Sequence, residues 1–172
     1  MNTTTKTYVA FDGQGVLSHQ HNKAYGGYMA LKQGENTLRF ITDHEISFED
    51  ITDITSDVLK RRLEVRMKEA DNLLVLASED SDIDNPLLNW EIETAIHVYH
   101  LPVIVAYVDA PALSNSTIQM VHNWLPKPLQ ALIKSNTIRV AHLGWNVRRL
   151  LEACNKYSRS KDIYPAFSRY IY

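Results

Sequence analysis

The chain has 172 residues, a formal net charge of −2, 45% hydrophobic residues and 22% charged ones. That size and balance suit one domain with a substantial core, expected over residues 1–172 with the core at about 6–157 and an aromatic tail at 158–172. The acidic balance argues against a general nucleic-acid binder, and the single cysteine, Cys154, excludes a disulfide framework or multi-cysteine metal site.

Lys6-Thr-Tyr-Val-Ala-Phe is short and β-prone, and Asp12-Gly-Gln-Gly follows as a flexible polar loop. Residues 19–33 read as weakly helical, with Gly26 and Gly27 counting against the helix. Thr37-Leu-Arg-Phe-Ile is a second strand, and the acidic segment from Thr42 to Asp53 is too long for a simple connector. Ser56 is placed to cap a helix bearing Leu59, Leu63, Met67 and Ala70 at helical spacing. Asn72-Leu-Leu-Val-Leu-Ala is a continuous apolar run, the pattern of a central strand covered on both faces.

The next stretch organises the rest. Asn85 reads as an N-cap and Pro86 as the first helical residue. At roughly 100° per residue, Leu87, Leu88, Ile92, Ala95, Ile96, Val98 and Tyr99 share one half of the helix. Asn89, Trp90, Glu93, Thr94, His97 and His100 share the other. Glu91 breaks the pattern, because it falls within the apolar arc, where an ionised carboxylate is costly without a partner. It lies either at the mouth of a pocket or on a helix of different phase.

Leu101-Pro-Val-Ile-Val-Ala-Tyr-Val is another buried strand, with Pro102 tolerated at its start. From Asp109 to Ser135 the pattern supports only a short helix around Leu129 to Lys134. Thr137-Ile-Arg-Val-Ala reads as a last strand and Asn146 to Tyr157 as a last helix, with the aromatic tail packing back. Alternating strands and helices imply an α/β fold: a flavodoxin-like, mainly parallel sheet of about five strands with helices on both faces. In such a sheet the loops after the strands form one rim, which gathers Phe11, Asp12, Gly13, the Asp43 loop, Ser78 and the start of the Glu91 helix.

Several chemistries are set aside. There is no dinucleotide fingerprint and no phosphate-loop lysine. His19 and His21 lack a third ligand in their motif, so no metal is expected. Cys154 sits on an apolar helix side, which suits a buried thiol. A phosphoacceptor aspartate is missing where the central strand ends in Ser78. No apolar run reaches membrane-span length, and the first residues lack a signal peptide's apolar core, so a cytoplasmic location without membrane contact is expected. A rim carboxylate near Phe11 and Trp90 would suit chemistry at a ribose, where it stabilises the oxocarbenium-like centre formed as a base leaves C1′.

These residues resemble a known family, the TIR-like proteins that include Thoeris ThsB of bacterial antiphage defence. The likeness rests on Thr7-Tyr-Val-Ala-Phe-Asp-Gly, on Leu59 to Met67 leading into Ala70-Asp-Asn-Leu-Leu-Val-Leu, on Asn89-Trp-Glu-Ile-Glu-Thr-Ala-Ile, and on Leu101-Pro-Val-Ile-Val. It covers about 6–109 well and 126–157 loosely, with Trp90-Glu-Ile-Glu its most specific part. The resemblance implies a flavodoxin-like TIR fold and, in active members, cleavage of NAD, as substrate and not cofactor, at the nicotinamide bond. The product would be an ADP-ribose-derived signal, cyclic or conjugated, that activates a downstream effector protein.

In many TIR domains the catalytic glutamate stands in a Trp-x-x-x-Glu setting. Here it matches Glu91, but Leu87 occupies the tryptophan position and Trp90 stands beside the glutamate. Phe11, Asp12 and Gly13 match the pocket-lining loop. Asp43 falls in the segment resembling the BB loop, which implies self-association through Asp43 to Phe48, and Ser78 matches by location. A non-catalytic adaptor is the alternative. A nucleoside deoxyribosyltransferase-like activity is a third reading, since it too would place a carboxylate beside a ribose.

Overall fold

Residue parity along each strand decides which helix lies over which face. The computed structural model describes residues 5–12, 23–33, 38–41, 56–110, 112–166 and 169–171. Its elements are β1 (Thr5–Ala10), α1 (Lys23–Gln33), β2 (Leu38–Ile41), α2 (Ser56–Glu69), β3 (Asn72–Ala77), α3 (Pro86–His97) and β4 (Val103–Tyr107). After these come α4 (Asn115–His122), α5 (Lys127–Lys134), β5 (Val140–Gly144), α6 (Val147–Lys156), a 3₁₀ turn (Arg159–Lys161) and β6 (Arg169–Ile171).

The strands form one six-stranded sheet in the order β2-β1-β3-β4-β5-β6, every pairing parallel. The first five follow the flavodoxin-like order, and the sixth comes from the aromatic tail. Successive side chains point to opposite faces. Tyr8, Ala10, Leu73, Val75, Val103, Val105 and Tyr107 therefore share a layer with Leu63 and Met67 of α2, Leu88, Ile92 and Ala95 of α3, and Leu129 of α5. Val9, Phe11, Leu74, Leu76, Ile104 and Ala106 share the other layer with α1 and α6.

Several expectations need correction. The sheet has six strands among the described residues where about five were expected. Ser56 is the first helical residue of α2 rather than the residue before it. The fifth strand begins at Val140, not Thr137, because Asn136 adopts a left-handed conformation (φ 54°) after α5 and Thr137 still bonds back to Leu132. Helix α4 was not foreseen; Ser114 and Thr117 cap it reciprocally. Helix α1 accommodates Gly27 for a packing reason: a Cβ there would stand 3.0 Å from the Trp145 ring and 3.1 Å from Val108.

Candidate active site

All strands run the same way, so Asp12, Ser78 and Asp109, which follow β1, β3 and β4, emerge at one edge. Asp12 is 2% exposed. One of its carboxylate oxygens accepts from the Asp82 backbone N–H at 2.9 Å, the other from Asn85 Nδ2 at 3.1 Å. Asn85 in turn caps α3, its Oδ1 accepting from the backbone N–H groups of Leu87 and Leu88 at 3.0 and 3.2 Å. The expected N-cap and proline start are both present. A chain of hydrogen bonds thus runs from the end of β1 to the first turn of α3.

The phase assigned to α3 from its sequence holds where it matters. Leu88, Ile92, Ala95 and Ile96 are buried, and Glu91 among them is 1% exposed. There are two deviations, and the first has a local cause. Val98, expected in the core, is 61% exposed because the helix ends at His97 and Val98 is its C-cap. Thr94, expected outside, is 7% exposed.

The Glu91 carboxylate accepts a hydrogen bond from the Tyr8 hydroxyl, which reaches it from the centre of β1. Tyr8 lies two positions before the strand's last residue, ~7 Å back along the strand, so Glu91 meets a group set beneath the rim. Tyr8 was missed by sequence reasoning. The available signal was its strand parity: a tyrosine in the buried phase needs a partner for its hydroxyl, and a glutamate in a buried phase needs a donor.

Ser78 is fully buried at the end of β3. Its Oγ bonds Asp80 at 2.6 Å and Ser81 Oγ at 2.7 Å, closing the turn after the strand. Asp80 also accepts from the Lys23 backbone N–H at 3.2 Å. The Lys23 ammonium pairs with Glu79 and, at 3.5 Å, with Asp109. The Glu79 contact raises the Lys23 pKa above its ordinary value.

The candidate residues do not converge on one point. Phe11 packs in the layer across the sheet from Glu91, stacked on Tyr28 at 5.3 Å and tilted against Tyr25 at 6.4 Å. Trp90 lies half-buried at the edge of the Glu91 layer, with the Lys60 ammonium of α2 5.2 Å from its ring centre. Gly13 and Asp43 lie outside the described residues, as do His19 and His21. No group of three or more His, Cys, Asp or Glu suited to a metal occurs among the described residues. Cys154 is buried on the inner side of α6, and burial pushes its thiol up to about 12. A second buried polar pair, Tyr107 with His142 at 2.8 Å, occupies the Glu91 layer two strands away.

A carboxylate held by a phenol inside an apolar layer has a strong local field, since little water screens it. Such a group can stabilise a cation developing nearby or accept a proton.

Fold and site together define a flavodoxin-like α/β protein with a buried carboxylate on the helix following its central strand. The chain belongs to the Thoeris ThsB TIR-like domain family, whose model matches residues 16–112. The crystal structure of a conserved protein from Enterococcus faecalis V583 is similar in fold, with a TM-score of 0.55 at 16% identity over 89% of this chain and 98% of that one. A 2-deoxyribosyltransferase from Bacillus psychrosaccharolyticus aligns over 95% of this chain and 100% of its own, at 17% identity and a TM-score of 0.45. Comparison with curated proteins finds no match. No helix among the described residues is long and apolar enough to cross a membrane.

Proposed function

We propose that this TIR-like protein cleaves NAD at the bond between nicotinamide and ribose and makes an ADP-ribose-derived signal in antiphage defence. The observation that carries the reading is Glu91: a 1% exposed carboxylate, bonded to Tyr8, on the helix after the central strand of a ThsB-family chain. In the proposed step the C1′–N bond breaks and its electron pair leaves with nicotinamide, which departs neutral. The ribose is left cationic at C1′, and the Glu91 carboxylate stabilises that charge. Water, or a nucleophile on the same or another molecule, then adds to C1′ and releases a proton. The cyclic or conjugated product would activate a downstream effector protein. The proposed setting is a single cytoplasmic domain, with Asp12, Gly13, Ser78 and, of the two aromatic candidates, Trp90 lining the approach, since Phe11 packs across the sheet from Glu91.

Nicotinamide release by the purified full chain, alone and with phage-infected lysate, tests this. Glu91→Gln is expected to reduce release by about a hundredfold or more. Release unaffected by the substitution removes Glu91 from the chemistry. No release under either condition leaves the adaptor reading, in which changes across Asp43 to Phe48 abolish self-association instead.

A further inference from the structure

Tyr8 of β1 and Asp12, just after it, both reach α3, and they do different things. Asp12 fastens the start of the helix through Asn85, while Tyr8 meets Glu91 further along it. Residues 8 and 12 are up to ~13 Å apart on extended chain, and the N-cap Asn85 and Glu91 ~9 Å apart along the helix axis. Two attachments at such separations fix both the height of α3 and its rotation about its own axis. The rotation aims the carboxylate.

The strand side of this contact is rigid. Tyr8 is fully buried, with Ile41 of β2 paired on one side and Leu73 of β3 on the other. For packing alone a phenylalanine would serve there. Burying the hydroxyl costs stability unless it is bonded, and burying the carboxylate costs more. The Tyr8 hydroxyl donates and the Glu91 carboxylate accepts, so the bond between them offsets part of both costs.

We propose that Tyr8 is the positioning residue of the Glu91 site, its hydroxyl holding the carboxylate in the orientation that faces the reacting ribose. This rests on the proposed NAD cleavage. Helix α2 is rich in charged residues, but Asp57, Arg61, Arg62 and Lys68 are exposed, and the faces that the elements around Glu91 turn to the core are apolar. The sheet beneath contributes Ala10, Leu73 and Val75 beside Tyr8, α2 contributes Leu63 and Met67, and α5 contributes Leu129. Of their charged groups, Lys60 stands over Trp90, Glu64 acts on Tyr99, and Lys127 pairs with Asp84. Lys6 of β1 pairs with Glu69.

Nicotinamide release by wild type, Tyr8→Phe, Glu91→Gln and the double variant decides the matter, with thermal unfolding followed in parallel. Loss of a hydrogen bond to a charged group is expected to lower kcat about ten- to a hundredfold, with KM within about threefold because Tyr8 is buried away from substrate. The Glu91→Gln background is expected to show no further loss, since there the carboxylate is already gone. The acid limb of the rate profile should move to higher pH in Tyr8→Phe, because the ionised carboxylate has lost a donor. Fluorotyrosine at position 8, a stronger donor, should move it the other way. A fall in kcat that only tracks the folded fraction, with the acid limb unmoved in both, overturns the role of Tyr8. Wild type active and Glu91-dependent with Tyr8→Phe unchanged does the same and leaves NAD cleavage standing. A wild type that releases no nicotinamide under any condition overturns both.

Discussion

At the edge where the strands begin, Arg159 donates to the carbonyl oxygens of Lys68, Ala70 and Tyr99 at 2.8, 3.0 and 3.2 Å. Asn72, buried beside it in the chain's central strand, donates to the carbonyls of Cys154 and Tyr157 at 2.7 and 2.5 Å. At the edge where the strands end, the acceptors are carboxylates: Asp12 for the α3 cap, Asp80 for Ser78 and α1, Glu79 and Asp109 for Lys23. The first edge also holds a carboxylate, Asp71, which accepts from the Lys6 backbone N–H at 2.9 Å and from the Ser158 hydroxyl at 3.3 Å, so that edge closes the fold through backbone carbonyls and side chains together. The second edge carries Asp12 and the start of α3, so a change there reaches the helix that bears Glu91.

The largest expected effect comes from between the edges. Burial, and then the charge of His122, lowers the His142 pKa from 6.5 to about 4. The folded protein therefore resists protonating His142 while the unfolded chain does not. Stability is full above about pH 6.5 and falls as pH drops toward about 4, where the loss levels off. At about 1.4 kcal/mol per pH unit, the loss amounts to about 3 kcal/mol. Urea midpoints of wild type and His142→Gln across that range check it: the variant should show a flatter slope.

Asn72→Ala should cost about 2–3 kcal/mol in urea unfolding, because two buried carbonyls lose their donor. It should leave nicotinamide release by the folded protein intact, and a fall in release per folded molecule would break the contrast between the edges. Asp12→Ala should cost only about 1 kcal/mol yet lower release about tenfold by freeing the start of α3. Lys23→Ala, at an exposed ion pair, should change stability by less than about 0.5 kcal/mol; a larger loss would make that cluster part of the fold's closure.

Much of the architecture was legible because it rests on local chemistry. The Asn85-Pro86 start and the phase of Leu88, Ile92, Ala95 and Ile96 follow from capping and from 3.6-residue periodicity. Apolar runs in β3 and β4 announced strands buried on both faces. Helix α4 escaped because eight residues with a Ser-Thr capping pair leave a weak periodic signal. The sixth strand escaped because Arg169–Ile171 is short and takes its definition from β5. Val98 was misplaced because periodicity does not say where a helix stops.

At the site the division is sharper. Glu91 as a carboxylate in an apolar arc was determined by the sequence alone, since its angular position depends only on helix geometry. Its partner was decided by tertiary structure: Tyr8 is 83 residues away in the chain, and the parallel pairing of β1 with β3 brings them together. The same pleat carries Phe11 to the opposite layer from Glu91. A shared rim predicts which loops are neighbours, but a strand's alternation decides which face each side chain takes, and that requires knowing which helix covers which face.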